Sequence, residues 1–330
     1  MALEFLTPKE LSPALAQEMV RFLDSQTTSH PFQFPQWADA STRFALLRDE
    51  NQIVWFANCG TQFPLGTRLA WFRATTVNRG PVCDDREVWR AGLNELVEQM
   101  RGDGLVYLDA APDWLRGQEP HSVSEFGQDW KPLAEGRVSL RLDLTKTPAE
   151  LFAQFRKNTR YEVRRSERAA LAVGPATEQE DIEAFLNLYV RLAGRKGFAA
   201  DSPVHVRSIL HWLRAEPSRG ALLLARDGTN IAGGAVIVRS GKRCWYIWGA
   251  SDKNDRFSAG QLLQWRALLW AKAHGCTEYD FGGYTPGATS GPAWFKEGFG
   301  GETVRFVPAH RNVFRVLGHG LVQALAIMRR

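Results

Sequence analysis

One lysine stands between two aromatics in Phe295-Lys296-Glu297-Gly298-Phe299-Gly300-Gly301, with a glycine turn behind it. Shortly before it, Tyr279-Asp280-Phe281-Gly282-Gly283 reads as a strand that ends in two glycines. An ammonium near a strand end is well placed to hold negative charge that develops on an oxygen during reaction. Short glycine-containing motifs are weak evidence alone, so a strand, a loop and a surface lysine remain an open reading. Other chemistries leave no trace. There is no G-x-S-x-G nucleophile elbow and no evident Ser/His/Asp grouping. The seven histidines show no ligand spacing. The four cysteines, Cys59, Cys83, Cys244 and Cys276, form no C-x-x-C pair, so zinc and a disulfide framework are not expected.

The elements that must carry these residues follow from periodicity. A helix is expected over 13–24, strands over 44–48, 53–58 and 67–73, and a turn over 78–82. Val88, Leu93, Leu96, Val97 and Met100 share one face of a helix over 87–101, and a strand follows over 105–109. Residues 111–136 read as loop. A second unit then repeats the first in outline. It opens with a strand over 138–142 and one long helix over 147–168, with Thr147 as N-cap, Pro148 in the first turn and Glu150 completing a capping box. Helices over 181–195 and 203–215, strands over 221–226, 231–239 and 244–249, a helix over 260–274 closed by Gly275, and a strand over 277–281 complete it. Strands, then a helix, then a strand, is the order of the GNAT acyltransferase fold. The expected class is α/β (α+β), as two tandem GNAT-like domains with mixed sheets. The division falls as 1–137 and 138–310, with 311–330 packing back on the first.

Composition sets wide bounds. The 330 residues are 44 % hydrophobic and 23 % charged, with 12 Trp and 19 Phe, enough for two modest domains with aromatic clefts. A net charge of +5 and a pI near 9.1 suit a polyanionic substrate such as a nucleotide-sugar or RNA without establishing one. No secretory signal and no membrane span is legible, so a cytoplasmic location is expected. Arg156, Arg160, Arg164 and Arg168 recur every four residues, and their shared face can grip RNA or a diphosphate by charge. A solvated face partly neutralised by Glu162 and Glu167 is the plainer reading.

Several stretches in order resemble the FemABX peptidyltransferases, a GNAT-related group. They are Arg156–Tyr161 with Arg164, Arg165 and Glu167; Leu188-Tyr189 with Arg195 and Phe198; Trp245–Ser251; Gln264-Trp265 with Ala271 and Gly275; Tyr279–Gly283; and Phe295–Gly301. Arg79-Gly80-Pro81-Val82 adds a family-like turn in the first half. The resemblance implies transfer of an aminoacyl group from aminoacyl-tRNA to an amine on a UDP-linked or lipid-linked muropeptide, with no cofactor. Such a step needs positioning and positive charge more than a protein nucleophile. On the resemblance, Lys296 stabilises the oxyanion or a phosphate. Asp280 orients the amine or takes its proton, or merely caps a strand end. Arg195 contacts pyrophosphate. Tyr246 hydrogen-bonds substrate or is a core tyrosine. Phe299 and Arg256, with Arg160 and Arg164 of the basic face, complete the expected binding set.

Two departures stand out. The lysine expected just beyond the aromatic segment ending at Trp37 is missing, with Arg43 as a substitute, and the long helical arm of some members is absent. Rival readings are acyl-CoA-dependent N-acylation, a binding-only protein, and acylation of an exported polysaccharide. In Arg256-Phe257-Ser258-Ala259-Gly260-Gln261, Ala259 and Gln261 fill positions where a pyrophosphate loop wants glycine, which argues against CoA. The apolar segment 313–328, flanked by Arg311, Arg315, Arg329 and Arg330, either packs on the first domain or makes peripheral contact with an anionic membrane.

Overall fold

A computed structural model describes residues 2–66, 71–117, 126–287, 289 and 291–328. The chain forms two compact units, 1–137 with 305–330, and 138–304. The boundary thus falls at Arg305, so 305–310 lie with the first unit.

The first unit runs β1 (Glu4–Leu6), α1 (Pro13–Ser25), β2 (Thr42–Asp49), β3 (Gln52–Gln62), β4 (Ala74–Asn78), α2 (Arg86–Gly102), β5 (Tyr107–Ala111) and β6 (Trp130–Pro132). The strand expected over 67–73 is instead β4, after a turn at Trp71-Phe72; 67–70 lie outside the described residues. α2 begins where the Asp85 carboxylate accepts from the Glu87 and Val88 amides. Its Trp89, Leu93, Leu96 and Met100 are buried, and the Trp89 ring meets Trp114 at 4.7 Å and Phe126 at 5.3 Å.

The second unit runs β7 (Val138–Asp143), α3 (Pro148–Gln154), α4 (Lys157–Arg168), β8 (Ala172–Pro175), α5 (Gln179–Lys196), α6 (Pro203–Ala215), β9 (Gly220–Asp227), β10 (Asn230–Ser240), β11 (Arg243–Ser251), α7 (Ala259–Ala273), β12 (Glu278–Gly283), α8 (Gly291–Glu297) and β13 (Glu302–Arg305). The chain then returns to the first unit as β14 (His310–Val313) and α9 (Val316–Met328). The single helix expected over 147–168 is two. Phe155 is extended, with φ −63° and ψ 146°, its ring is buried, and the next amide, of Arg156, donates to Gly298 O at 2.8 Å. Tertiary burial of one ring outweighs local helix propensity here.

Both units hold a seven-stranded sheet, in the orders β1-β2-β3-β4-β5-β14-β6 and β13-β7-β12-β11-β10-β9-β8. Each holds a parallel pair, β4 with β5 and β11 with β12, joined through α2 and α7, among antiparallel neighbours. In β9, Ala221, Leu223 and Ala225 join one core with α7, while Leu222 and Leu224 between them are also buried. The strand is therefore covered on both faces, as a continuous apolar run requires.

Candidate active site

The second unit opens where its parallel pair separates. β11 and β12 are paired only from Arg243↔Glu278 to Trp245↔Asp280, although β11 continues to Ser251. At the same point β11 bulges. Tyr246 and Trp248 oppose consecutive residues of β10, Ile237 and Val236, which leaves Ile247 as the extra residue. Bulges of this kind bend a strand and re-aim its side chains.

Beside the opening lies a cleft of about 840 Å³. Asn158, Glu162 and Arg165 line it from α4, Leu192, Arg195 and Lys196 from α5, Tyr246 and Gly249 from β11, the N-cap Ser258 with Gly260, Gln261 and Gln264 of α7, and Pro292 and Phe295 from α8. Gly249 is required by packing, since a Cβ there would fall 1.9 Å from the Tyr246 hydroxyl. Burial holds the Tyr246 phenol at about 12, so the group stays protonated. Arg165 pairs with Glu162 at 2.8 Å, and Arg195 with Asp252 at 3.5 Å. The α7 N-terminus is tied to α4, because the Ser258 amide donates to Ser166 Oγ at 2.9 Å. The Gln261 side chain folds back on Ser258 Oγ in the first turn of α7.

Lys296 is half-buried on α8, and its Nζ donates to Gly283 O at 2.8 Å. A Cβ on Gly282 would lie 4.0 Å from Nζ and 3.5 Å from Tyr246 O, so the ammonium stands where β12 leaves β11. Burial pushes its pKa down to about 8, against the opposing pull of the Asp280 charge. The chain around it explains the motif. Phe299 is fully buried, and its ring centroid meets Phe155 at 5.1 Å, Phe281 at 5.2 Å and Phe295 at 5.4 Å. Gly298 lets α4 approach, since a Cβ there would fall 2.4 Å from Thr159 Oγ1. Glu297 accepts from the Gly287 amide at 2.9 Å.

Several expected site residues do other work. Phe299 is a core anchor with no surface to offer a substrate. Asp280 is 1 % exposed, and its carboxylate accepts from Ser139 Oγ, from Arg141 Nε at 3.0 Å and from the Gly282 amide at 2.8 Å. It fixes the turn under Lys296 and cannot reach a substrate amine. Arg160 donates to Ala153 O and Phe155 O at the end of α3, and Arg164 lies 5.2 Å over the Phe152 ring. Arg156 similarly lies 4.8 Å over Trp294. The cleft therefore takes Arg165, one residue off the expected stripe. Arg256 is exposed and pairs with Asp227 at 3.2 Å. Arg195 and Tyr246 do line the cleft. In the first unit, Arg43, the expected substitute for the missing lysine, is held by Asp103 at 2.6 Å and lies 4.5 Å over the Phe5 ring. Ser139 and Arg141 were not expected at the site. As polar residues alternating with Leu140 and Leu142 along β7, they read as a solvent face. Among the described residues no three His, Cys, Asp or Glu side chains gather as metal ligands would.

Residues 153–297 match the model of the acetyltransferase (GNAT) domain family. The lipid II:glycine glycyltransferase of Staphylococcus saprophyticus is 39 % identical over 51 residues, which is 15 % of this chain and 12 % of that protein. The UDP-N-acetylmuramoylpentapeptide-lysine N(6)-alanyltransferase of Weissella viridescens is 22 % identical over 149 residues, 44 % of each chain. The chain thus spans less than half the length of these relatives. The crystal structure of FemX superposes with a TM-score of 0.79 at 16 % identity, covering 96 % of this chain and 99 % of that one. The fold is shared over that 96 % of the chain.

Proposed function

We propose that this chain, FemABX-like on a GNAT fold, is an aminoacyltransferase that moves an amino acid from aminoacyl-tRNA to an amine on a muropeptide precursor. The observation that carries the reading is Lys296, a half-buried ammonium fixed on Gly283 O where β11 and β12 part. In the reaction the acceptor amine adds to the ester carbonyl of the donor, and the carbonyl oxygen becomes an oxyanion. Lys296 donates a charge-assisted hydrogen bond to that oxygen. Collapse expels the ribose hydroxyl, and the amine proton leaves to solvent or to the departing oxygen. The relatives named above act on a lipid-linked and a UDP-linked muropeptide, which supports that acceptor class. The donor's phosphates have Arg165, Arg195 and Lys196 at the cleft.

A second reading, acyl-CoA as donor, has one observation in its favour. The α7 N-terminus faces the cleft, as a pyrophosphate site needs. Against it, the Gln261 side chain occupies the first turn through Ser258.

The test is transfer by the purified chain onto a UDP-linked muropeptide, with labelled glycyl-, alanyl- and seryl-tRNA as donors and acetyl-CoA in parallel. Label moving from tRNA is the expected result, and it names the amino acid. Label moving only from acetyl-CoA replaces the reading with N-acylation. If no donor serves UDP-linked or lipid-linked muropeptide, the transferase reading fails.

A further inference from the structure

The last helix presents an apolar stripe to solvent. On its inner side, Val322 is buried with Leu65, Ala74, Val106 and Tyr107, and Gly318 rests on the Phe72 ring, where a Cβ would lie at 3.4 Å. His319 meets the Tyr107 ring at 5.7 Å and Arg311 Nη1 at 3.1 Å. These contacts settle which side of α9 faces the protein. Its outer side carries Leu317, Gly320, Leu321 and Ala324, spaced as one helical stripe and all exposed. Leu317 is 92 % exposed, and Val316 at the helix start is 77 % exposed. The outward stripe of a surface helix is ordinarily charged or polar. Trp71, 70 % exposed, adjoins the same edge through Phe72, whose ring is 6.2 Å from its own.

The charge around this face has one sign along the C-terminal segment. From Arg311 to Arg330 the sequence holds four arginines and no acidic residue. The Arg311 charge is met by Asp109 at 2.6 Å and 2.7 Å, whereas Arg315, next to the helix start, is exposed. Arg73, beside Trp71 and Phe72, is exposed too. α9 has 13 residues, about 20 Å of helix at 1.5 Å per residue, too short for a hydrocarbon core of ~30 Å. No helix among the described residues is long and apolar enough to cross a membrane. A short helix with an apolar outer stripe, flanking arginines and a neighbouring tryptophan has the make-up of one that lies in a lipid interface.

We propose that the outer stripe of α9, with Trp71, docks the protein on an anionic phospholipid surface. Leu317, Leu321 and Trp71 enter the headgroup boundary, and Arg315 and Arg73 meet the lipid phosphates. The proposal does not depend on which reaction the second unit performs, and its readout is not activity.

The full chain is sedimented with vesicles of phosphatidylcholine plus phosphatidylglycerol, and with phosphatidylcholine alone. Binding to the anionic vesicles is expected, with weaker binding to the neutral ones and loss at high salt. The double variant Leu317→Asp/Leu321→Asp should bind about tenfold more weakly or worse. Both side chains are exposed, so its circular dichroism and melting should match the parent. Trp71→Ala tests the same surface from outside the helix and should also weaken binding. Equal sedimentation of parent and both variants overturns the proposal. So does a concentration-dependent dimer, abolished by the double variant, in a protein that ignores vesicles; the face would then belong to a second copy.

Discussion

Replacing Lys296 with methionine keeps the length of the side chain and removes its charge. If the ammonium stabilises an oxyanion, the loss of one charged donor costs about 3–4 kcal/mol in the transition state, or roughly 10²–10³ in turnover. The structure makes a second, opposite demand. Burial lowers the lysine from its ordinary 10.5 to about 8, so folding with the charge in place is unfavourable. That displacement corresponds to roughly 3 kcal/mol, and partial exposure leaves ~1–2 kcal/mol after screening. The sign is fixed by linkage. The unfolded chain holds the proton more tightly, so the full cost applies below pH 8 and fades as pH rises towards 10.5. Lys296→Met should therefore melt no lower than the parent at pH 7, and higher once the small loss of the bond to Gly283 O is outweighed. The advantage should vanish near pH 10.5. The assay pairs single-turnover transfer of labelled amino acid to the muropeptide with thermal melts across that pH range. Turnover near the parental rate would refute the catalytic role. Lost turnover with a steep fall in melting temperature at pH 7 would refute the electrostatic argument, because the lysine would then be a structural support.

In the parent, kcat should fall as pH rises through about 8, because the protonated form of Lys296 is the active one; Lys296→Arg, whatever its absolute rate, should lack that alkaline limb. Asp280→Asn removes the buried charge that Arg141 meets at 3.0 Å and leaves it Glu278 at 3.5 Å, so chemical denaturation should show a loss of about 2–3 kcal/mol. Any residual activity of that variant should show its alkaline limb at lower pH, since the Asp280 charge helps keep Lys296 protonated. Phe299→Ala should cost ~3–5 kcal/mol of stability as a core truncation; a selective rise in KM at unchanged stability would restore it as a substrate contact. Gly249→Ala drives a methyl against the Tyr246 hydroxyl, which should cost about 1–3 kcal/mol of stability by overpacking and weaken donor binding at the cleft, measured as KM.

Local sequence determined most elements of the second unit, though not β8, α8 or β13, and the position of its lysine. Cap residues, apolar spacing and glycine turns act within a few residues, so the capping box at Thr147 and the α7 pattern could be read without any tertiary contact. The same local signals joined α3 to α4, because nothing near Phe155 announces that its ring belongs beside Phe299 and Trp265. The chemistry of Asp280 was likewise out of reach. It depends on an antiparallel register that sets Asp280 opposite Arg141, residues brought together from the two ends of the unit. Period-two alternation on β7 cannot tell a polar side chain that meets water from one that meets a buried carboxylate. The basic stripe of α4 shows the same limit. Spacing by four found a face, but the way α3 and α8 pack turned three of its arginines onto aromatic rings and carbonyl groups, and left Arg165 for the cleft. Sequence thus specified which residues can carry charge and which segments hold them. Only long-range strand pairing and packing decided which charges are buried, which are neutralised, and which single ammonium stands at the parting of β11 and β12.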